Sequence, residues 1–129
     1  MRILLDTNRY SDAIRGEREA TVTIERATQI YIPFAVLAEL KYAFALGARR
    51  AANEQRLAAF LASPKVSLLM PDTKTCEQFA ALYVELRKKG RPMDANDLWI
   101  AALSRQHSLS ILSRDRHFDV VPGNKRIDW

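Results

Sequence analysis

The sequence predicts an α/β protein in which helices cover both faces of a central parallel sheet, a three-layer α/β/α arrangement. Short apolar segments recur along the chain, and residues with helical periodicity follow each of them. The first segment, Ile3-Leu4-Leu5, is uninterrupted by polar residues, as is typical of a strand buried on both faces. The alternation of strands and helices favours right-handed parallel crossovers. A length of 129 residues, of which 48% are hydrophobic, predicts a single domain over residues 1–129.

Apolar spacing and turn residues define the expected elements. The strands are expected at residues 2–5, 30–32, 66–70, 110–113 and, as a closing edge strand, 126–129. The helices are expected at residues 9–15, 17–28, 33–47, 51–61, 73–90 and 94–103. The two helices between the second and third strands are expected to form a hairpin.

Glycine and proline residues separate the elements of the first half. Gly16 is expected as a C-cap between the first two helices, and Pro33 suits the first turn of the third. Phe34, Leu37, Leu40 (or Lys41) and Phe44 are expected to form an apolar stripe along that third helix. A Ser-Pro pair ends the fourth helix, because the residue before a proline disfavours helical geometry.

The long helix of the second half is predicted between Asp72, an N-cap residue, and Gly90, which ends it. Its apolar face is expected to contain Cys76, Phe79, Ala80, Tyr83 and Leu86. We therefore expect Cys76 to lie in the core. The next helix begins after a proline and holds two acids at its start.

The composition limits the chemistry that the protein can perform. Cys76 is the only cysteine, which excludes an internal disulfide and fits a reducing compartment. Together with His107 and His117 it makes too small a set for a zinc site. The sequence has no signal peptide and no long apolar segment, which predicts a cytoplasmic protein without a membrane span. A net charge of +5 favours a polyanionic partner such as nucleic acid.

Four acids are expected to meet at one edge of the sheet. Asp6 and Asp115 follow the first and fourth strands, Asp97 lies at a helix start, and Glu39 lies inside a helix. Ligands of open α/β sheets bind beyond the carboxyl ends of strands, although Asp6 also suits a simple helix N-cap. Four carboxylates in one pocket are unfavourable unless a cation lies between them. Oxygen ligands of this kind suit Mg²⁺ or Mn²⁺.

The remaining charge is strongly basic. Setting these four acids aside leaves 11 acids against 20 bases. Cleavage of a phosphodiester needs such a division, because bases hold the phosphate backbone while a metal ion activates water.

Four segments carry a family resemblance. They are Leu4-Leu5-Asp6-Thr7-Asn8, Ala38-Glu39-Leu40, Asn96-Asp97-Leu98-Trp99-Ile100-Ala101-Ala102 and Ser113-Arg114-Asp115-Arg116-His117-Phe118. They closely resemble PIN-domain proteins, specifically toxins of the VapC type. The third segment, followed by Asp115 at 18 residues from Asp97, is the most specific. The resemblance extends to the terminal Ile127-Asp128-Trp129.

The resemblance implies a PIN fold and a Mg²⁺-dependent endoribonuclease, with Mn²⁺ as a second supporting ion. It also implies a homodimer that an antitoxin encoded beside it holds inactive. Within the family pattern, metal binding and catalysis fall on Asp6, Glu39, Asp97 and Asp115, and the accessory positions are Thr7 and Asn8.

Several further residues near these motifs are candidates for the site. Asp94 is an additional acid that we expect to cap its helix, with a contribution to metal hydration as the alternative. The candidates for RNA phosphate contacts are Arg9, Arg114, Arg116 and His117, with a solvated surface as the alternative. Arg9 and Tyr10 replace aliphatic residues of many relatives, which affects the shape of the pocket and the choice of substrate.

Other functional classes fit the sequence less well. A receiver-type phosphorylation domain would use Asp72, but Asp6 lacks a second acid beside it, and an arginine rather than a lysine follows Ser113. Asp72 or Thr73 suits a helix N-cap better. A catalytically silent PIN-like module that binds nucleic acid or protein is disfavoured by the cost of clustering four carboxylates. A flap-type DNA nuclease would need additional helices.

Overall fold

The structure is a computed structural model that describes residues 1–127. Its strands are β1 (Arg2–Leu5), β2 (Gln29–Pro33), β3 (Val66–Leu69), β4 (Ser110–Leu112) and β5 (Arg126–Ile127). They form one sheet in the order β3-β2-β1-β4-β5, and every strand pair is parallel. The expected edge strand is present as β5, while Asp128 and Trp129, its expected last residues, lie outside the described residues.

Helices cover the sheet and confirm the predicted three-layer α/β/α fold. They are α1 (Thr7–Ile14), α2 (Arg18–Arg26), α3 (Phe34–Leu46), α4 (Arg50–Leu61), α5 (Thr73–Lys88) and α6 (Ala95–His107). A short 3₁₀ helix that the sequence pattern does not predict, η1 (Arg116–Val120), follows β4. Within residues 1–127 no helix combines the length and the apolar character that crossing a membrane requires.

The expected helices all form, and the ends that differ have local causes. α1 begins two residues earlier than expected because the Asp6 side chain accepts a hydrogen bond from the backbone N–H of Thr7. Pro33 is the last residue of β2 and precedes α3, with an extended backbone instead of a helical one. An ion pair between Lys41 and Glu54 joins α3 to α4, which contact each other as the expected hairpin.

The order of the strands determines where a site can form. From β1 the chain moves outward to β2 and β3, and then returns to the other side of β1 as β4. The direction of the connections therefore changes between β1 and β4, which opens a crevice at the carboxyl ends of these two strands. Leu5 pairs with Leu112 across them, so that Asp6 and Ser113, the next residues along each strand, stand side by side in the crevice.

The central strands supply the middle of the hydrophobic core. Ile3, Leu4 and Leu5 are fully buried although their side chains alternate between the two faces of the sheet. Ile111 and Leu112 in β4 are equally buried. Both faces of the sheet are therefore covered, which explains why the first strand contains an uninterrupted apolar run.

The helix α5 presents a different face to the core from the one expected. Cys76 is exposed and Tyr83 is 44% exposed, so the expectation that Cys76 lies in the core is wrong. Thr75 and Leu82 are buried, each one position before a residue of the expected stripe, while Leu86 of that stripe is buried as expected and Phe79 packs against the core. The core-facing side of α5 is therefore turned by only part of the roughly 100° that separates neighbouring helical residues.

Polar contacts at the start of α5 explain its orientation. Asp72 and Thr75 form a capping box, in which each side chain accepts a hydrogen bond from the backbone N–H of the other residue. The Thr75 hydroxyl also bonds the Gln106 side chain of α6, which turns Thr75 toward the core. The backbone hydrogen bond from Thr75 holds the pKa of Asp72 below its ordinary value. Asp72 is thus the predicted N-cap, and its contacts give no support to a receiver-type phosphorylation site.

Replacing Leu82 by alanine should destabilise the protein far more than replacing Cys76. Leu82 is fully buried, so Leu82→Ala should lower the free energy of unfolding by about 2–5 kcal/mol. Cys76→Ala should change it by less than about 0.5 kcal/mol, and in the unchanged protein a thiol reagent should label Cys76 without denaturant. Chemical denaturation of both variants checks this orientation of α5. Equal losses in the two variants would show that the helix faces the other way.

Candidate metal centre

Asp6 lies in the crevice at the carboxyl end of β1 and is only 6% exposed. Its Oδ1 accepts a hydrogen bond from the backbone N–H of Thr7 at 2.8 Å, and its Oδ2 accepts one from the Ser113 hydroxyl at 2.6 Å. Burial raises the pKa of Asp6 above its ordinary value, and these two hydrogen bonds oppose that rise. The same carboxylate therefore caps α1 and belongs to the acidic cluster of the crevice.

Ser113 is a central residue that the sequence analysis did not select. It is fully buried, and its hydroxyl both donates to Asp6 and accepts from the backbone N–H of Asp115 at 2.9 Å. The Asn8 side chain amide lies 3.3 Å from the same hydroxyl, and Asn8 Oδ1 accepts from the backbone N–H of Arg114 at 3.2 Å. Ser113 and Asn8 thus connect the end of β1 to the segment that carries Asp115.

Glu39 reaches the cluster from α3. Its Oε2 accepts a hydrogen bond from the Thr7 hydroxyl at 2.8 Å, and its Oε1 accepts one from the Asn96 side chain at 3.3 Å. Thr7 therefore contacts two of the acids, Asp6 through its backbone and Glu39 through its side chain. Asn96 was also missed as a site residue, although it stands beside Asp97 in the most specific segment of the sequence.

Asp97 lies half-buried in the first turn of α6. Its backbone N–H donates to Asp94 Oδ1 at 3.0 Å, which confirms Asp94 as the N-cap of this helix. Burial, followed by the negative charge of Asp94, raises the pKa of Asp97 to about 7. The charges of Asp6 and Asp115 act in the same direction. Burial and the charges of its neighbours therefore act together against the ionisation of Asp97.

Asp115 and His117 form the remaining side of the cluster. The Asp115 carboxylate caps η1 by accepting from the backbone N–H of His117 at 2.9 Å, and His117 Nδ1 lies 2.9 Å from the same oxygen. One ligand atom from each of Asp97, Asp115 and His117 lies within 4.8 Å of the other two. The structure thus brings these three side chains together at the mouth of the crevice.

The donor set fits a divalent cation. The charges of Glu39 and Asp115 contribute to the raised pKa of Asp6, which shows that these carboxylates are close enough to repel one another. A cation among them would replace that repulsion by attraction. Carboxylate oxygens are the ligands that Mg²⁺ and Mn²⁺ use in proteins, and Asp97 and Asp115 are the acids best placed to bind such an ion.

A cavity of about 410 Å³ opens beside the cluster. Asp94, Asp97 and His117 line one part of it, while Met93 and Val120 provide apolar walls. A space of this size, lined by both carboxylates and apolar side chains, suits a small ligand or one unit of a polymer.

A buried aspartate, Asp12, engages two of the arginines expected to contact RNA. Arg9 is 4% exposed and its Nη1 lies 2.9 Å from Asp12 Oδ2, while Arg114 Nε lies 2.9 Å from the same oxygen. Burial alone would raise the pKa of Asp12, but the hydrogen bond from Arg9 and the charge of Arg114 outweigh it and lower that pKa. The burial of Arg9 contradicts a contact with phosphate. Arg116 and His117 are exposed.

The fold and the cluster together define a three-layer α/β protein with an acidic centre at the switch point of its parallel sheet. The chain belongs to the PIN domain family, and the family model matches residues 3–124.

Individual relatives are similar over almost their whole length. A protein called Ribonuclease VapC5, from Mycobacterium tuberculosis, is 28% identical over 127 residues, which cover 97% of this chain and 91% of that protein. A structure of VapBC-5 from the same organism, a member of the VapBC family of toxin-antitoxin systems, is 27% identical with a TM-score of 0.71 and covers 98% of both chains. A structure of VapBC2 from Rickettsia felis, bound to a promoter DNA fragment, has a TM-score of 0.89 at 24% identity, covering 100% of this chain and 99% of that chain. That last similarity is one of fold.

The metal-free protein should lose stability as the pH rises, because of Asp97. Its pKa lies near 3.8 in an unfolded chain and near 7 in the folded protein, so the folded state retains a proton that the unfolded state releases. The free energy of unfolding then falls with pH between these two values. In a chelator, Asp97→Asn should therefore melt at a higher temperature than the parent protein at about pH 7.5, and the difference should shrink toward about pH 4.

Asp72→Asn is the matched control for this measurement. Asparagine caps helices as well as aspartate does, and the pKa of Asp72 is lowered rather than raised, so removing its charge should give no stabilisation at neutral pH. A less stable Asp97→Asn variant at neutral pH, in the absence of divalent ions, would contradict the electrostatics described here.

Proposed function

We propose that this protein is a metal-dependent endoribonuclease and the toxin of a toxin–antitoxin pair. The observation that carries the proposal is the convergence of Asp6, Glu39, Asp97 and Asp115 at the switch point of the sheet. Membership of the PIN domain family supports it, as do a relative named as a ribonuclease and another that belongs to a family of toxin-antitoxin systems. The net charge of +5 fits a polyanionic substrate.

In this proposal the four acids hold one or two divalent ions, Mg²⁺ or Mn²⁺. When bound, the metal supplies an activated water and neutralises charge that develops on the phosphate. Ser113 and Thr7 orient the acids, because their hydroxyls donate to Asp6 and Glu39 and so fix which carboxylate oxygens face the crevice. Asn8 holds the segment that carries Asp115 against β1.

Asp94 has a supporting part in the same proposal. Its carboxylate caps α6 and adds negative charge beside Asp97. This charge raises the pKa of Asp97, which makes the cluster more dependent on a bound cation at neutral pH. Asp94 therefore strengthens the electrostatic demand for metal and lies at the edge of the cavity where water around the ion would sit.

The proposal includes partners and a location. A cognate antitoxin would hold the protein inactive, as the description of the VapBC-5 relative as part of a toxin-antitoxin system supports. We also propose a homodimer, a single PIN domain over the whole chain and a cytoplasmic location, on the basis of the family resemblance and the sequence composition. Light scattering of the purified protein tests the homodimer.

Brief expression without antitoxin should arrest growth and generate new RNA ends. Asp97→Asn should abolish both effects, because a neutral amide at the centre of the cluster weakens metal binding. Asp72→Asn, which changes the same atoms far from the crevice, should leave both effects intact. Sequencing of RNA ends in the three strains measures the outcome.

The chemistry of those ends distinguishes the mechanism. Attack by a metal-activated water should leave 5′-phosphate and 3′-hydroxyl ends that disappear when a chelator is added to the purified protein. Cyclic phosphate ends, or cleavage that a chelator does not reduce, would exclude the proposed mechanism. Harmless expression of a folded protein without RNA cleavage would favour the catalytically silent binding module.

Arg116 and Arg114 should have separable effects on RNA. Arg116 is exposed on η1, so Arg116→Ala should weaken RNA binding and reduce the slope of log affinity against log salt by about 0.7, the value for one phosphate contact of a single strand. Arg114 contacts Asp12 and precedes Asp115 in the chain. Arg114→Ala should therefore reduce cleavage mainly by loosening the position of Asp115. Titration of labelled RNA in metal-free buffer at several salt concentrations measures binding. An unchanged slope for Arg116→Ala would exclude that contact.

A further inference from the structure

His117 stands where it could serve the metal rather than the RNA. Its backbone N–H donates to Asp115 Oδ1 at 2.9 Å, and its ring Nδ1 lies 2.9 Å from the same oxygen, so Asp115 holds the imidazole against the acidic cluster. The ring also lines the cavity that Asp97 borders. Both neighbours are acids that we propose as metal ligands, which makes the imidazole a third donor at the same place.

The distances allow a shared ion after a small movement. One ligand atom each from Asp97, Asp115 and His117 lies within 4.8 Å of the other two. Ligand atoms around a six-coordinate ion lie about 3 to 4 Å apart when the bonds are about 2.1 Å long. The His117 side chain is 81% exposed, so its ring can turn between staggered rotamers without disturbing the core. The Asp115 carboxylate, by contrast, is held by its capping contact with η1, and the backbone of Asp97 is held by the Asp94 cap of α6.

The chemistry of the third donor bears on which ion binds. Mg²⁺ prefers oxygen ligands, whereas imidazole nitrogen is better suited to first-row transition metals. Mn²⁺ is such a metal, and it also binds at carboxylate-rich sites. An all-carboxylate centre discriminates little between Mg²⁺ and Mn²⁺ on the basis of ligand type. A centre with two carboxylates and one imidazole favours the transition metal.

We infer that His117 is a direct ligand of a transition-metal ion bound by Asp97 and Asp115, and that it makes the centre selective for Mn²⁺ over Mg²⁺. The inference rests on the metal centre of the proposed function and is independent of RNA cleavage. Because the His117 side chain is 81% exposed and Asp6 is buried, the imidazole would reach the ion from the solvent side. The identity of the bound ion thus depends on a residue outside the acidic quartet.

The chain offers a matched control, because His107 and His117 are its only histidines. His107 lies at the end of α6, opposite to the end that begins beside Asp97. Metal-free protein without RNA is titrated by calorimetry with MnCl₂ and with MgCl₂, using the parent, His117→Asn and His107→Asn. Removal of the imidazole ligand should raise the Mn²⁺ dissociation constant about tenfold or more and the Mg²⁺ constant less than about twofold. His107→Asn should leave both constants unchanged.

Pulsed electron paramagnetic resonance of the Mn²⁺-loaded protein gives a direct readout. The parent and His107→Asn should show hyperfine coupling to a bound imidazole nitrogen, and His117→Asn should not. The inference would be overturned if the parent bound Mn²⁺ without nitrogen coupling and if His117→Asn lost affinity equally for both ions or for neither. The acidic centre would then remain in place. A parent protein that binds neither ion would overturn both the inference and the proposed metal-dependent function. Weaker RNA binding by His117→Asn in metal-free buffer, together with absent nitrogen coupling, would return His117 to the role of a phosphate contact.

Discussion

The crowding of partly buried carboxylates at one edge of the sheet is the constraint on which the rest of the structure depends. Asp6 and Asp97 both have raised pKa values. The largest cause in each is burial, which removes water from the charged carboxylate. Hydrogen bonds from Ser113 and Thr7 offset part of this cost for Asp6. The strands β1 and β4, buried on both faces, are the rigid supports of Asp6 and of the segment that carries Asp115. The fold therefore keeps an unfavourable charge arrangement that a cation would relieve.

Much of the fold follows from the sequence because its signals are local. A strand covered on both faces needs a continuous apolar run, and Ile3-Leu4-Leu5 supplies one. The orientation of α5 is harder to predict from the sequence, because alternative faces of that helix contain similar numbers of apolar residues. The choice between them depends on Thr75, whose hydroxyl bonds Gln106 some 31 residues later. A contact at that separation has no periodic signal in the sequence, and this is why Cys76 was placed in the core.

The acids of the site were predictable from their positions at the ends of elements, but the residues that hold them were not. The hydrogen bond between Ser113 and Asp6 joins residues 107 positions apart, and serine after a strand is too common to stand out. Asn96 has the same difficulty. Arg9 was interpreted as a surface residue because arginine is seldom buried without a partner. Its partner Asp12 lies three residues further on, a helical ion-pair spacing that was the available signal.

The contacts of Asp12 also show that part of the positive charge is used inside the protein. Arg9, Arg15 and Arg114 all lie within 3 Å of this one buried carboxylate, and Arg114 thereby joins α1 to the segment that carries Asp115. Arg9 and Asp12 form the buried pair of this group, and breaking a buried ion pair by removing one partner costs about 3–5 kcal/mol. Arg9 is therefore better placed to fix the geometry of the crevice than to bind a mobile polyanion. The attraction of a nucleic acid must come from bases that remain in contact with water, such as Arg116, which adjoins Asp115.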